Sequence, residues 1–278
     1  MPGADVLQWM WDNRAWIVKQ LGSLAMWVKQ PSERPILILG PGGCGKSTLL
    51  RILAGHRDWL TETPWKYAES TQQEKQAIED DPDVQIIVTP GQPHREKTYW
   101  QELQGEIAAG KYRGIVLLTA YGYHSLGQGM RIKNHPLYQA GVKQPTLEFL
   151  GQYLPDRRLD EIRVLKQLAP HLAACQQKIW LLSVVAKEDL WSDERPEVSE
   201  HYRNGAYGSE VAAIIDAKNV ANFRTELSFV SLIINNFKTG TDELIKKNLE
   251  GYDHKSQVES VRSLVEVISG LRAWEAGS

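Results

Sequence analysis

"PILILGPGGCGKSTLLRILAG", residues 35–55, sets a short apolar run against a glycine-rich turn and then a helix-forming segment. Within it Gly40, Gly42, Gly43, Cys44, Gly45, Lys46 and Ser47 fit the spacing G-x-x-x-x-G-K-[ST], and Thr48 follows. Glycines let the backbone turn so that successive N–H groups converge on an anion. The helix opening at Lys46 adds its positive dipole end. In this pattern the lysine reaches the β- and γ-phosphates, and the hydroxyl of Ser47 is a ligand for Mg²⁺. The strand before and the helix after are the context that separates a phosphate loop from an ordinary glycine turn. The pattern specifies a nucleoside triphosphate and says nothing of the base.

Outward from this loop, the chain reads as an α/β protein. Of its 278 residues 42% are hydrophobic and 24% charged, within the range of a chain that buries a core. Its 32 basic and 34 acidic residues nearly balance, so bulk charge does not call for nucleic acid. Cys44 and Cys175 are far apart, which fits free thiols and a cytoplasmic setting better than a disulfide framework.

Apolar runs recur at "PILIL" (35–39), "VQIIV" (84–88), "GIVLLT" (114–119), "KIWLLSVV" (178–185) and "LSFVSLII" (227–234), with an edge strand expected near "KQAIED". Helical patterns separate them, and a closing helix near 256–274 carries Val258, Val261, Val265, Ile268 and Leu271 on one face. This alternation predicts a doubly wound, mainly parallel sheet of about six strands flanked by helices. Residues 121–145 are too long for a tidy connection and read as a functional or surface insertion in a domain covering 31–278. Ahead of that domain, residues 1–30 read as an amphipathic helix holding Trp9, Trp11, Trp16 and Trp27. Its apolar face suits its own domain, a partner groove or a membrane surface. Asp12, Asn13, Arg14 and Lys19 interrupt it too often for a spanning helix.

The loop's wording also resembles that of ABC-transporter ATPases. Such an enzyme needs an L-S-G-G-Q-like signature and a strand ending in Asp-Glu, whereas the strands here run into "TPG", "AYG" and "AKED". The same strand ends resemble the P-loop small GTPase superfamily. Pro90-Gly91-Gln92 falls where switch II carries its glycine and glutamine, and Lys187-Glu188-Asp189-Leu190 falls where the base is read. Two positions depart from the family: Val88 stands where an aspartate is usual, and Ala186 where an asparagine ties the base to the phosphate loop. Bacterial polarity GTPases of the MglA type are similar at the first of these positions, and Arf-type GTPases also carry an amphipathic helix ahead of the domain.

The resemblance implies binding of GTP and GDP with Mg²⁺, slow hydrolysis, and a switch read by a protein effector or activating partner. Gly91 would sense the γ-phosphate through its N–H, and Gln92 would orient the attacking water beside Lys46. Asp189 would accept two hydrogen bonds from guanine, a donor pair that adenine lacks, under the alkyl stem of Lys187. Thr71 would complete the Mg²⁺ shell, and Ser231 and Leu232 would form the last base-contacting loop. Two other classes stay open on the residues: an ATP-binding protein or ATPase with a different base site, and a nucleotide-binding scaffold without significant turnover.

Overall fold

The computed structural model describes residues 34–53, 74–78, 81–88, 93–124, 126, 130–141, 147–218 and 220–276. The segment 1–30, Thr71, Gly91 and Gln92 lie outside the described residues. In chain order, β1 (Ile36–Leu39) leads to α1 (Lys46–Leu53), β2 (Glu74–Ile78), β3 (Asp81–Val88), α2 (Pro93–Ala108) and β4 (Gly114–Thr119). A 3₁₀ turn (Ile132–Asn134) and α3 (Pro136–Gln139) precede α4 (Leu147–Ala174), β5 (Ile179–Val185), α5 (Arg195–Arg203) and α6 (Ala206–Ala217). The chain closes with β6 (Phe223–Phe229), β7 (Phe237–Lys238), β8 (Leu244–Lys246) and α7 (His254–Ala276).

The main sheet has the order β2-β3-β1-β4-β5-β6. Only β2 runs antiparallel, pairing with β3; the other neighbours are parallel. Every residue of β1, β4 and β5 is buried, so both faces of the sheet centre are covered. That is why these strands read as continuous apolar runs. Helices α2 and α6 each pack against α4, while α7 lies on β5 and β6. The α7 face foreseen from spacing is the buried one: Val258, Val261, Val265, Ile268 and Leu271 are all in the core. Among the described residues no helix is long and apolar enough to cross a membrane.

The last strand of the main sheet differs from its expected position. Its pairing with β5 runs from Ile179↔Phe223 to Val185↔Phe229, so "LSFVSLII" is strand only in its first part. As an edge strand β6 is half-exposed over Arg224–Leu227, and alternation with charged residues hid its start. Residues 230–236 leave the sheet and turn back over the loop after β5. Two helices, α5 and α6, fill the connection between β5 and β6, and the second stops at Ala217.

This topology places the site. From β1 the chain goes to β3 on one side, and from β4 it proceeds to β5 on the other. The crevice at the carboxyl ends of such strands is where open α/β sheets bind ligands. The segments that leave β1, β4, β5 and β6 there are 40–45, 120–124, 186–191 and 230–236.

Candidate nucleotide site

The glycine-rich loop is closed by its own lysine. Lys46 is buried, and its ammonium donates to the carbonyls of Gly40 at 2.7 Å and Pro41 at 2.9 Å. The Cys44 thiol donates to Pro41 O at 2.9 Å, and Leu49 N donates to Gly45 O at 2.9 Å in the first turn of α1. Gly40 has φ +143°, and a Cβ there would sit 2.0 Å from the carbonyl oxygen of Leu118. Only glycine fits this approach of the loop to β4. Ser47 and Thr48 follow in the first helical turn, half-buried. Loop N–H groups, helix start and ammonium together can take up a polyphosphate.

The second part of the site follows β5. Ala186 N donates to Thr119 O at 2.9 Å, and Glu188 N to Val230 O at 3.2 Å, stitching the loops after β4, β5 and β6 into one surface. Lys187 adopts a left-handed backbone, φ +62°. Its ammonium donates to Tyr123 O and lies 5.1 Å from the centre of the Phe237 ring. Burial pushes its pKa down to about 8, against the pull of Cys44 and Asp189.

Asp189 is only 1% exposed. Ser231 Oγ donates to its Oδ1 at 2.8 Å, and Asn235 N to its Oδ2 at 3.1 Å. Burial raises its pKa to about 6, with these two bonds acting in the opposite direction. The backbone N–H of Asp189 also bonds this carboxylate, so a ligand finds acceptor positions there only when the loop of Ser231 and Asn235 shifts. The neighbouring Glu188 is also buried, paired with Arg195 and accepting from Tyr252 OH at 3.1 Å. It points away from the role expected of Asp189.

Ser231 and Leu232 are fixed by the first turns of α7. Ser231 N donates to Ser260 Oγ at 3.1 Å, and Gln257 Nε2 donates to Leu232 O at 3.0 Å. The Leu232 side chain packs on the phosphate loop, with its Cδ1 3.2 Å from where a Cβ on Gly45 would stand. An apolar contact thus joins these two loops, beside an Ala186 too short to make a polar tie. Cys44 lies between the two lysines: burial raises its thiol pKa, while Lys46 and Lys187 pull it down.

The structure therefore brings Gly40, Gly42, Gly43, Cys44, Gly45, Lys46, Ser47, Thr48, Lys187, Asp189, Ser231 and Leu232 to one edge of the sheet. Val88, the last residue of β3, pairs with Ile38 at that same edge. Among the described residues no group of three or more His, Cys, Asp or Glu side chains is placed to hold a metal ion. Sequence reading missed Tyr123, Asn235 and Glu161. Only Glu161 left a signal: it stands on the apolar stripe Leu154, Leu165, Leu168, Leu172 of α4, where a charge is out of place.

No family model and no curated protein matches the sequence. Among solved structures, the chain is similar to an ADP-ribosylation-factor-like GTP-binding protein, the small COPII coat GTPase Sar1 from Encephalitozoon cuniculi, in complex with GDP. The identity is 11%, coverage is 97% of this chain and 98% of that one, and the TM-score is 0.39. It is also similar to the GDP-bound signal recognition particle receptor SRb from Chaetomium thermophilum, at 14% identity, 84% and 98% coverage, and a TM-score of 0.39. The mammalian signal recognition particle receptor follows at 12% identity, 84% and 100% coverage, and a TM-score of 0.41.

Proposed function

We propose that the chain binds guanine nucleotides, hydrolyses GTP slowly and reports the nucleotide state to a protein partner. The observation that carries this reading is the buried Asp189 beside Lys187, held by Ser231 at the same sheet edge as the phosphate loop. Guanine offers N1–H and N2–H₂ donors for the acceptor positions of Asp189 that open when residues 231–236 move. Adenine would leave them unpaired at a cost of about 1–3 kcal/mol per buried group. Because Asp189 is so little exposed, a base reaches it only when residues 231–236 give way.

In this reading Lys46 swings from the carbonyls of Gly40 and Pro41 to the phosphates, and the loop amides hold the remaining charge. Ser47 fits Mg²⁺, which retains several water and phosphate oxygens and needs few protein ligands; bound there, the ion would neutralise phosphate charge. Water aimed by Gln92 would attack the γ-phosphorus in line with the β–γ bridge oxygen, with the N–H of Gly91 on the γ-phosphate, and GDP and phosphate would leave. Thr71 is assigned to the triphosphate state of the same metal shell. Most of the rate would come from positioning and charge neutralisation.

Asp189→Asn tests the base assignment. An amide converts one acceptor into a donor, which suits the 2-oxo group of xanthine. Affinity for GTP should drop about 100-fold and affinity for xanthosine triphosphate should rise, measured by titration of both nucleotides. An unchanged preference rejects the guanine reading. Single-turnover phosphate release from the same preparations measures hydrolysis, and none with or without cell lysate marks a binding scaffold instead.

A further inference from the structure

The carboxylate of Glu161 is fully buried, midway along α4. Its Oε1 accepts from Ala120 N at 2.9 Å and Gly122 N at 3.0 Å, and lies 2.8 Å from His124 Nε2. Its Oε2 accepts from the Tyr202 hydroxyl, which itself accepts from Tyr121 N at 3.1 Å. One side chain, with that phenol as an extension, thus collects the N–H groups of Ala120, Tyr121 and Gly122 and the ring of His124 in a single five-residue turn. Burial alone would raise its pKa, but the bonds from His124, Tyr202 and Ala120 outweigh it and hold the group ionised.

Tying α4 to β4 does not require a buried charge, since apolar packing serves that purpose without the desolvation cost. The turn it holds is not an ordinary connection either. It leaves β4 at the switch point: the N–H groups of Ala120, Tyr121 and Gly122 face Glu161 and Tyr202, while Tyr123 N and His124 N close the turn on Ala120 O at 2.8 Å and Gly122 O at 2.7 Å. Tyr123 O accepts from the Lys187 ammonium, while His124 O accepts from Tyr153 OH at 2.7 Å, a second tie of the turn to α4. The line of contacts runs from Glu161 through residues 120–124 to Lys187, two residues before Asp189.

We propose that Glu161 is a positioning residue of the nucleotide site, acting through the Tyr123 carbonyl to set the direction in which Lys187 lies across the base. This rests on the guanine-nucleotide reading given above. The Lys187 ammonium is anchored at Tyr123 O, beside the Phe237 ring, so the direction of its alkyl stem follows that carbonyl. A turn that shifts takes the anchor with it, and the stem no longer covers the base.

A double-mutant cycle on the full chain tests this, with the dissociation rate of N-methylanthraniloyl-GDP as readout and thermal unfolding measured in parallel. Glu161→Gln should speed dissociation about 10-fold in the wild-type background. In a Lys187→Met background the same change should alter the rate less than about 2-fold, because the group it acts through is gone. Tyr202→Phe removes only the phenol bridge and should show the same coupling with a smaller effect; it carries the test if Glu161→Gln does not fold. Equal effects in both backgrounds, or a lowered Tm with an unchanged rate, overturn the proposal and leave Glu161 a purely structural tie. A wild-type chain that retains no guanine nucleotide rejects the underlying reading instead, and is seen before any variant is made.

Discussion

Asp189 concentrates the chemistry of the site in one titration. Its pKa in the fold, about 6, lies above the ordinary value of 3.8, so the fold holds this proton more tightly than the unfolded chain does. Its contribution to stability is therefore largest at low pH and is lost as pH rises through about 6. In the proposed guanine reading, binding would have the opposite sign, because only the carboxylate accepts from both N1–H and N2–H₂. Affinity for N-methylanthraniloyl-GDP should be flat above pH 7 and fall by up to about 10-fold per unit below pH 6. General acid unfolding would lower affinity and stability together. In Asp189→Asn, titrated with xanthosine diphosphate, the slope should be absent. Lys187 shows what a residue can and cannot disclose: its place in Lys-x-Asp was legible, but its left-handed φ and its bond to Tyr123 were not.

At the scale of elements, two segments that look like separate insertions form one unit. The β7–β8 hairpin places Phe237 edge-on to Tyr123 with ring centres 5.6 Å apart, and Lys246 donates to Tyr123 OH at 2.8 Å. Glu243, in the turn of the hairpin, accepts from Ile132 N at 2.9 Å, pinning the 3₁₀ turn inside the 121–145 insertion. Glu243→Ala should lower the local opening free energy by about 1 kcal/mol and speed exchange of the Ile132 amide by roughly 5-fold. The Tm should move little, and exchange at the wild-type rate would show that the bond holds nothing. The long insertion was recognisable from its length and glycines. Its partner was not, because the two are 111 residues apart and neither carries a periodic pattern.

Across the whole molecule, α7 joins the site to the opposite end of the sheet. Its 23 residues span about 35 Å. At its start Gln257 and Ser260 hold the Ser231–Leu232 loop, and at its end Glu275 accepts from Arg113 Nε at 2.9 Å and Nη2 at 2.6 Å. Leu271 is fully buried near that far end. Leu271→Ala should cost about 3 kcal/mol, read as a lower urea midpoint, while nucleotide affinity stays within about 2-fold of wild type. A large loss of affinity would mean that packing at the far end reaches the site through the helix.

The sequence by itself determined the phosphate loop, the parallel core and the buried face of α7. Each depends on neighbours in the chain: glycine φ angles, a helix start, continuous apolar runs, or apolar residues at a period of 3.6. Tertiary structure alone decided how the surroundings of Asp189 and Glu161 are built. Asp189 finds Ser231 and Asn235 at separations of 42 and 46 residues, and Glu161 gathers its turn from 37–41 residues away. Spacing along the chain carries no information about such pairs. They follow from the strand order, which brings four loops to one edge where every buried polar group must find a partner.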